Sequence, residues 1–88
     1  MLNGEYVMSA AEMRETLAKL RMTQVQAAHL LCVDTRTVRR WVAGDVVIPG
    51  PVAMVFRLMA KYQIPVAEAQ QLTRPDWMAA YYRPELAA

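Results

Sequence analysis

An all-α fold, a small bundle of about five short helices, follows from three features of the sequence. Apolar residues recur at spacings of three and four, as in Met13, Leu17 and Leu20 or Val52, Val55, Phe56 and Met59. Helix-start patterns stand immediately ahead of three of these runs: Ser9 with Glu12, Thr23 with Gln26, and Asp34 before Thr35. No stretch alternates apolar and polar residues as a half-buried strand does.

Taken in order, residues 1–8 form a lead-in, ordered in part by Tyr6, Val7 and Met8. Ser9 opens a helix over 10–20, on which Met13, Leu17 and Leu20 share a face while Arg14 and Lys19 lie off it. Arg21 and Met22 connect to a second helix over 24–31, opened by Thr23, with Val25, Ala27, Ala28 and Leu31 turned inward. Cys32 and Val33 break the run. Asp34 opens a third helix over 35–43 with Val38, Trp41 and Val42 on its inner face, and Gly44 stands where a left-handed residue ends it. Beyond a loop from Asp45 to Gly50, Pro51 suits the first turn of a fourth helix over 51–62. Pro65 starts a fifth helix to about Leu72, and a further turn or two after Pro75 carries Trp77, Tyr81 and Tyr82 until Pro84. The expected organisation is a lead-in at 1–8, a domain at 9–62 holding a two-helix motif at 23–44, and a helical extension at 63–88.

Composition bounds the function. A chain of 88 residues supports one modest core and little room for a deep catalytic cleft. Its apolar fraction of 56% exceeds what one small monomer hides, so self-association is expected. The formal charge is only +2, but Arg36, Arg39 and Arg40 fall within five residues, the most basic stretch of the chain. Such focusing points to an acidic partner. The single cysteine, Cys32, allows no internal disulfide, fits a reducing cytosol, and reads as a small buried apolar residue. The first ten residues lack the basic start and apolar core of a signal peptide, and no apolar run approaches ~20 residues, so a cytoplasmic protein off the membrane is expected. His29 has no partner at a metal-binding spacing and reads as a surface residue. Asp45, Glu68 and Asp76 show no acid–base pairing. No phosphate-binding glycine loop or nucleophile elbow is present. The expectation is a protein that is not an enzyme and uses neither metal nor cofactor.

The segment from Thr23 to Gly44 carries the function. Two short capped helices separated by about three residues form a helix-turn-helix. Ala28 is small where the helices touch, and Val33, Val38 and Trp41 pin the turn and the second helix to the core. Thr35, Arg36, Thr37, Arg39 and Arg40 are left facing solvent. Arginine can hold guanine O6 and N7 with two hydrogen bonds, and threonine can meet a phosphate or a thymine methyl. An arginine trio on an arbitrary helix is more often a plain solvated face; within this motif DNA is the better reading. Trp41 belongs to the core rather than to a base-stacking platform, since it lies three residues from Val38. Met54, Met59 and Met78 read as core filler.

This segment resembles the Cro/phage-repressor helix-turn-helix family, also called the xenobiotic-response-element type. The matching residues are Thr23-Gln24, Ala28, Val33, Val38 and the run from Arg39 to Gly44, and the likeness extends from Ser9 to near Tyr62. It implies a lambda-repressor-like DNA-binding domain. Thr35, Arg36 and Arg40 then match base-reading positions, Arg39 a more variable one beside them, and Thr23, Gln24 and Thr37 phosphate contacts. Two residues depart from the family pattern. Cys32 stands where glycine is usual, in a turn that wants a positive φ. Val42 stands where an acidic residue commonly pairs with the first helix, so that ion pair is expected to be missing.

The resulting expectation is a transcriptional regulator of bacterial or phage type, a repressor that occludes a promoter. As a homodimer it would bind double-stranded DNA at an inverted repeat whose half-sites lie ~10 bp apart. Trp77, Tyr81 and Tyr82 either close the core over the fourth helix or form the dimer contact, the latter being favoured by the apolar composition. The alternative is an antitoxin that autoregulates its operon and holds a toxin partner through 63–88. A third reading is an adaptor that uses the fold without reading sequence.

Overall fold

The computed structural model describes residues 7–73, and the chain between them is all-α. Five helices follow one another: α1 (Ala10–Lys19), α2 (Gln24–Leu31), α3 (Thr35–Ala43), α4 (Gly50–Lys61) and α5 (Val66–Thr73). The further turn expected after Pro75 lies outside the described residues.

The first three helices are opened by side-chain caps. At Thr23 the capping box is complete: Thr23 Oγ1 accepts from the Gln26 amide at 3.0 Å, and Gln26 Oε1 accepts from the Thr23 amide at 2.9 Å. Asp34 Oδ1 accepts from the Arg36 amide at 2.8 Å, placing a carboxylate at the positive end of α3. Ser9 Oγ accepts from the Glu12 amide, but the reciprocal bond is absent because Glu12 is engaged elsewhere. α4 has no side-chain cap and begins instead with Gly50-Pro51, whose fixed φ suits a first turn.

The first four helices end by one device. A residue in the left-handed conformation follows the helix, and the next amide reaches back five residues. The left-handed residues are Arg21 (φ 54°), Cys32 (φ 57°), Gly44 (φ 83°) and Gln63 (φ 53°). The returning bonds are Met22 to Leu17, Val33 to Ala28, Asp45 to Arg40 and Ile64 to Met59, all 2.9–3.0 Å. In three of the four, the residue after the left-handed one is apolar and packs on the core: Met22, Val33 and Ile64. Only Gly44 takes the conformation cheaply; a Cβ there would have ordinary clearance, so its φ is the reason for glycine.

The core is built around Met13, Val38 and Phe56, which are fully buried, with Leu17, Ala27, Ala28, Leu30, Trp41, Ala53 and Met59 around them. α1 packs on α3 and α4, while α2 packs on α3 and α5. Met8 of the lead-in and Ile48 of the α3–α4 loop close one end, and Ala69 brings α5 into the same core.

Several inward assignments shift. Val25 is 51% exposed, and Leu30 takes the core position expected of it. At 100° per residue Val25 lies about 160° from Ala27, on the far side of α2. On α4 the buried line is Ala53, Phe56 and Met59; Val55 sits at its edge, and Met54 faces solvent rather than filling the core. Cys32 is exposed, not buried. It occupies the left-handed position of the turn, and Val33 takes the apolar place beside it. Met78 lies outside the described residues.

Glu12 explains the half-made capping box at Ser9. Its two carboxylate oxygens accept from Arg57 Nε and Nη2, each at 2.8 Å, tying α1 to α4 across 45 residues of sequence. The hydrogen bond from Arg57 holds the Glu12 carboxyl below its ordinary value. Partial burial works against this, and the arginine's charge adds to it. A depressed carboxyl pKa contributes stability that is complete above the unfolded value and lost as pH falls through the folded one.

Two outcomes are expected. Cys32→Gly removes a left-handed strain of ~1–2 kcal/mol against a chain-entropy cost of ~0.4–1 kcal/mol. The net gain, ~0–1.6 kcal/mol, raises the melting temperature by up to about 13 °C, whereas Cys32→Val lowers it; a Gly variant less stable than the parent would contradict the turn. Second, the stability lost in Arg57→Ala stays constant from neutrality down to the ordinary glutamate value of 4.5 and shrinks as pH falls below it, through the lowered folded value. Urea titrations across pH read this directly, and a difference independent of pH would dissociate the ion pair from the stability.

Candidate nucleic-acid interface

α3 is divided lengthwise by its sequence. Val38 and Trp41 are buried and Val42 is half-buried, which fixes one side of the helix to α1 and α2. Arg36, Arg39 and Arg40 are exposed, and Thr35 and Thr37 are half-buried at the first turn. The segments predicted from sequence to form the reading face are thus brought together on one helix.

The electrostatics of this face are one-sided. From Thr23 to Ala43 the charged residues are Asp34, Arg36, Arg39 and Arg40, and α2 contains none. The ion pair among the described residues is Glu12–Arg57, so the three α3 arginines are without an acidic partner there. Asp34 caps the helix rather than neutralising a side chain. Arg36 lies three and four residues from Arg39 and Arg40, spacings at which like charges sit side by side and repel by roughly 0.2–0.5 kcal/mol a pair. The arrangement is therefore slightly unfavourable alone and becomes favourable against an array of anions.

The start of α2 adds a second element. Thr23 is exposed and Gln24 half-buried. The capping box uses Thr23 Oγ1 as an acceptor, leaving its O–H free to donate. The first amides of a helix have no intrahelical partner, and a helix N-terminus favours an anion. Trp77, Tyr81 and Tyr82, the expected dimer contacts, lie outside the described residues.

Both ends of α3 are anchored electrostatically. Asp34 holds the N-terminus, and at the C-terminus Arg14 Nη1 donates to the Val42 carbonyl at 2.7 Å. The cation meets the negative end of the helix dipole, and the bond crosses 28 residues of sequence. The expected loss of an ion pair at Val42 is thus only half the outcome: the side-chain partner is missing, and Arg14 of α1 takes the backbone carbonyl of the same residue instead. The sequence placed Arg14 only as a residue off the apolar face.

Comparison with protein-family models, curated proteins and solved structures finds no significant match to this chain.

Arg14→Ala is expected to cost about 0.5–1.5 kcal/mol and to speed amide exchange in the last turn of α3 more than in α4. Arg14→Lys should restore part of both, since it keeps a cation at the helix terminus. Exchange changed equally in both helices would argue against a local anchor.

Proposed function

We propose that this chain is a sequence-specific double-stranded DNA-binding regulator of transcription that lays α3 in the major groove and represses by occluding a promoter. One observation carries the reading. α3 is pinned on one side by Val38 and Trp41 and presents on the other three exposed arginines with no acidic partner among the described residues. A helix of this kind fits the width of the major groove, and bidentate arginine–guanine pairing supplies sequence preference.

The roles divide by position. Thr35, Arg36, Arg39 and Arg40 read base edges. Thr23, Gln24 and Thr37 hold phosphates on either side of the groove and fix the register. Arg36 and Arg40, one turn apart on the helix, span about 6 Å along its axis, close to two base-pair steps. The preferred half-site therefore contains guanines one or two steps apart. The action requires binding alone, with no chemistry and no cofactor.

Selection from a random duplex library at about 150 mM salt tests the reading under conditions where phosphate contacts alone are weak. An enriched, guanine-containing half-site is expected; an inverted repeat of it, with centres ~10 bp apart, identifies a two-fold dimer. No enrichment by the folded protein refutes sequence-specific binding. Arg36→Ala and Arg40→Ala should each lose about 1–3 kcal/mol of discrimination at one base pair. Gln24→Ala should weaken all sequences alike. Equal weakening of all DNA by the arginine variants would leave a packing adaptor rather than a regulator.

A further inference from the structure

On the side of the molecule built from α2, α4 and α5 runs an apolar groove of about 290 Å³. Leu31 of α2, Val55 and Leu58 of α4, Ile64 of the connector and Leu72 of α5 line it, and among the described residues Thr73 is the one polar residue on its wall. Leu58 and Leu72 are 46% and 59% exposed, unusually open for leucines that already have apolar neighbours. Ordinary exposed leucines need no explanation, but a contiguous apolar trough asks for an occupant.

We propose that the occupant is the chain's own segment 74–88, seated through Trp77 and Tyr81. Three observations select it. Leu72 and Thr73 are both groove-lining residues, so the following residues start at the groove's rim with no span to cross. The segment is apolar where the groove needs it: Trp77, Met78, Tyr81 and Tyr82 fall within six residues. At helical spacing these four share an arc of about 140°, while Asp76 and Arg83 fall outside it. The flanking prolines, Pro75 and Pro84, stand where a short helix starts and stops. Among the described residues the groove wall carries no charge that would repel or require an ion, so the match is one of apolar surface, with the two phenol hydroxyls left at the edge where water reaches them. The aromatics expected to meet a second copy thus have a place on their own molecule.

The inference does not depend on DNA binding, and its test is separate. Nuclear Overhauser contacts are recorded on the full chain between the rings of Trp77 and Tyr81 and the methyls of Leu58 and Leu72. A sample mixing labelled with unlabelled protein separates contacts within a molecule from contacts between molecules. Intramolecular contacts that survive tenfold dilution are the expected result. Leu58→Glu, at a half-exposed position, should abolish them and raise acrylamide quenching of Trp77 several-fold, while Trp41 stays protected and the helical circular dichroism is retained. Contacts found only between molecules would make a second copy the occupant and overturn the proposal. An absence of contacts in the folded wild-type chain would overturn it as well.

Discussion

The left-handed residue at Cys32 is the constraint on which the rest of the molecule turns. It ends α2, lets the Val33 amide return to the Ala28 carbonyl, and sends the chain into α3 after only three residues. That short turn carries α3 across α2, with α1 on its other flank, and Ala27 and Ala28 keep the contact with α2 close. Val38 and Trp41 then have a fixed place to be buried, and the helical period puts Arg36, Arg39 and Arg40 outside. A strain of ~1–2 kcal/mol at one residue thus positions a whole helix. It is small beside the roughly 1.5–3 kcal/mol gained for each large apolar side chain buried. Arg21 and Gln63 repeat the device at the ends of α1 and α4, each followed by an apolar residue that packs on the core.

The polar contacts are ordered by strength. Glu12 could close the capping box at Ser9 or pair with Arg57, and it does the second. A bidentate arginine–carboxylate contact is roughly twice as strong as a neutral hydrogen bond, and this one joins two helices rather than two adjacent residues. The same preference appears at Arg14, which reaches the Val42 carbonyl when it could have remained in water. Ser9, Thr23 and Asp34 fix where helices begin. Arg14 and Arg57 add polar ties from α1 to α3 and from α4 to α1 around the packed core. The arginines of α3 are left out of this economy and remain available to a ligand.

Local features were legible in the sequence, and distant ones were not. The capping patterns at Ser9, Thr23 and Asp34 involve residues two or three apart, and the helices they predict lie within a residue or two of those observed. The division of α3 into an inner and an outer side was also legible, because Val38 and Trp41 share a helical face. Leu30 and Ala53 were missed because an apolar stripe two residues wide can be rotated by one position without losing its period. The exposure of Cys32 was missed because cysteine's apolar habit outweighed the solvent-facing position that a left-handed turn gives it. The Arg14–Val42 and Glu12–Arg57 contacts, separated by 28 and 45 residues, leave no local trace in the sequence at all.

The composition of α2 follows from how many surfaces share it. Over eight residues it has no Asp, Glu, Lys or Arg, which is unusual for a helix with exposed positions. Its middle, Ala27 and Ala28, lies against α3; its C-terminal end, Leu30 and Leu31, lines the apolar groove beside α5. Its N-terminus, Thr23 and Gln24, is the end that a phosphate would approach in the proposed DNA complex, and a carboxylate there would repel one. A charge at Ala27 or Ala28 would have to be buried against α3, and a charge at Leu30 or Leu31 would face an apolar trough. The helix that supports the arginine face is therefore the same one that closes the groove. Whatever fills that groove packs directly against the support of α3, on the opposite end of α2 from the first-turn amides.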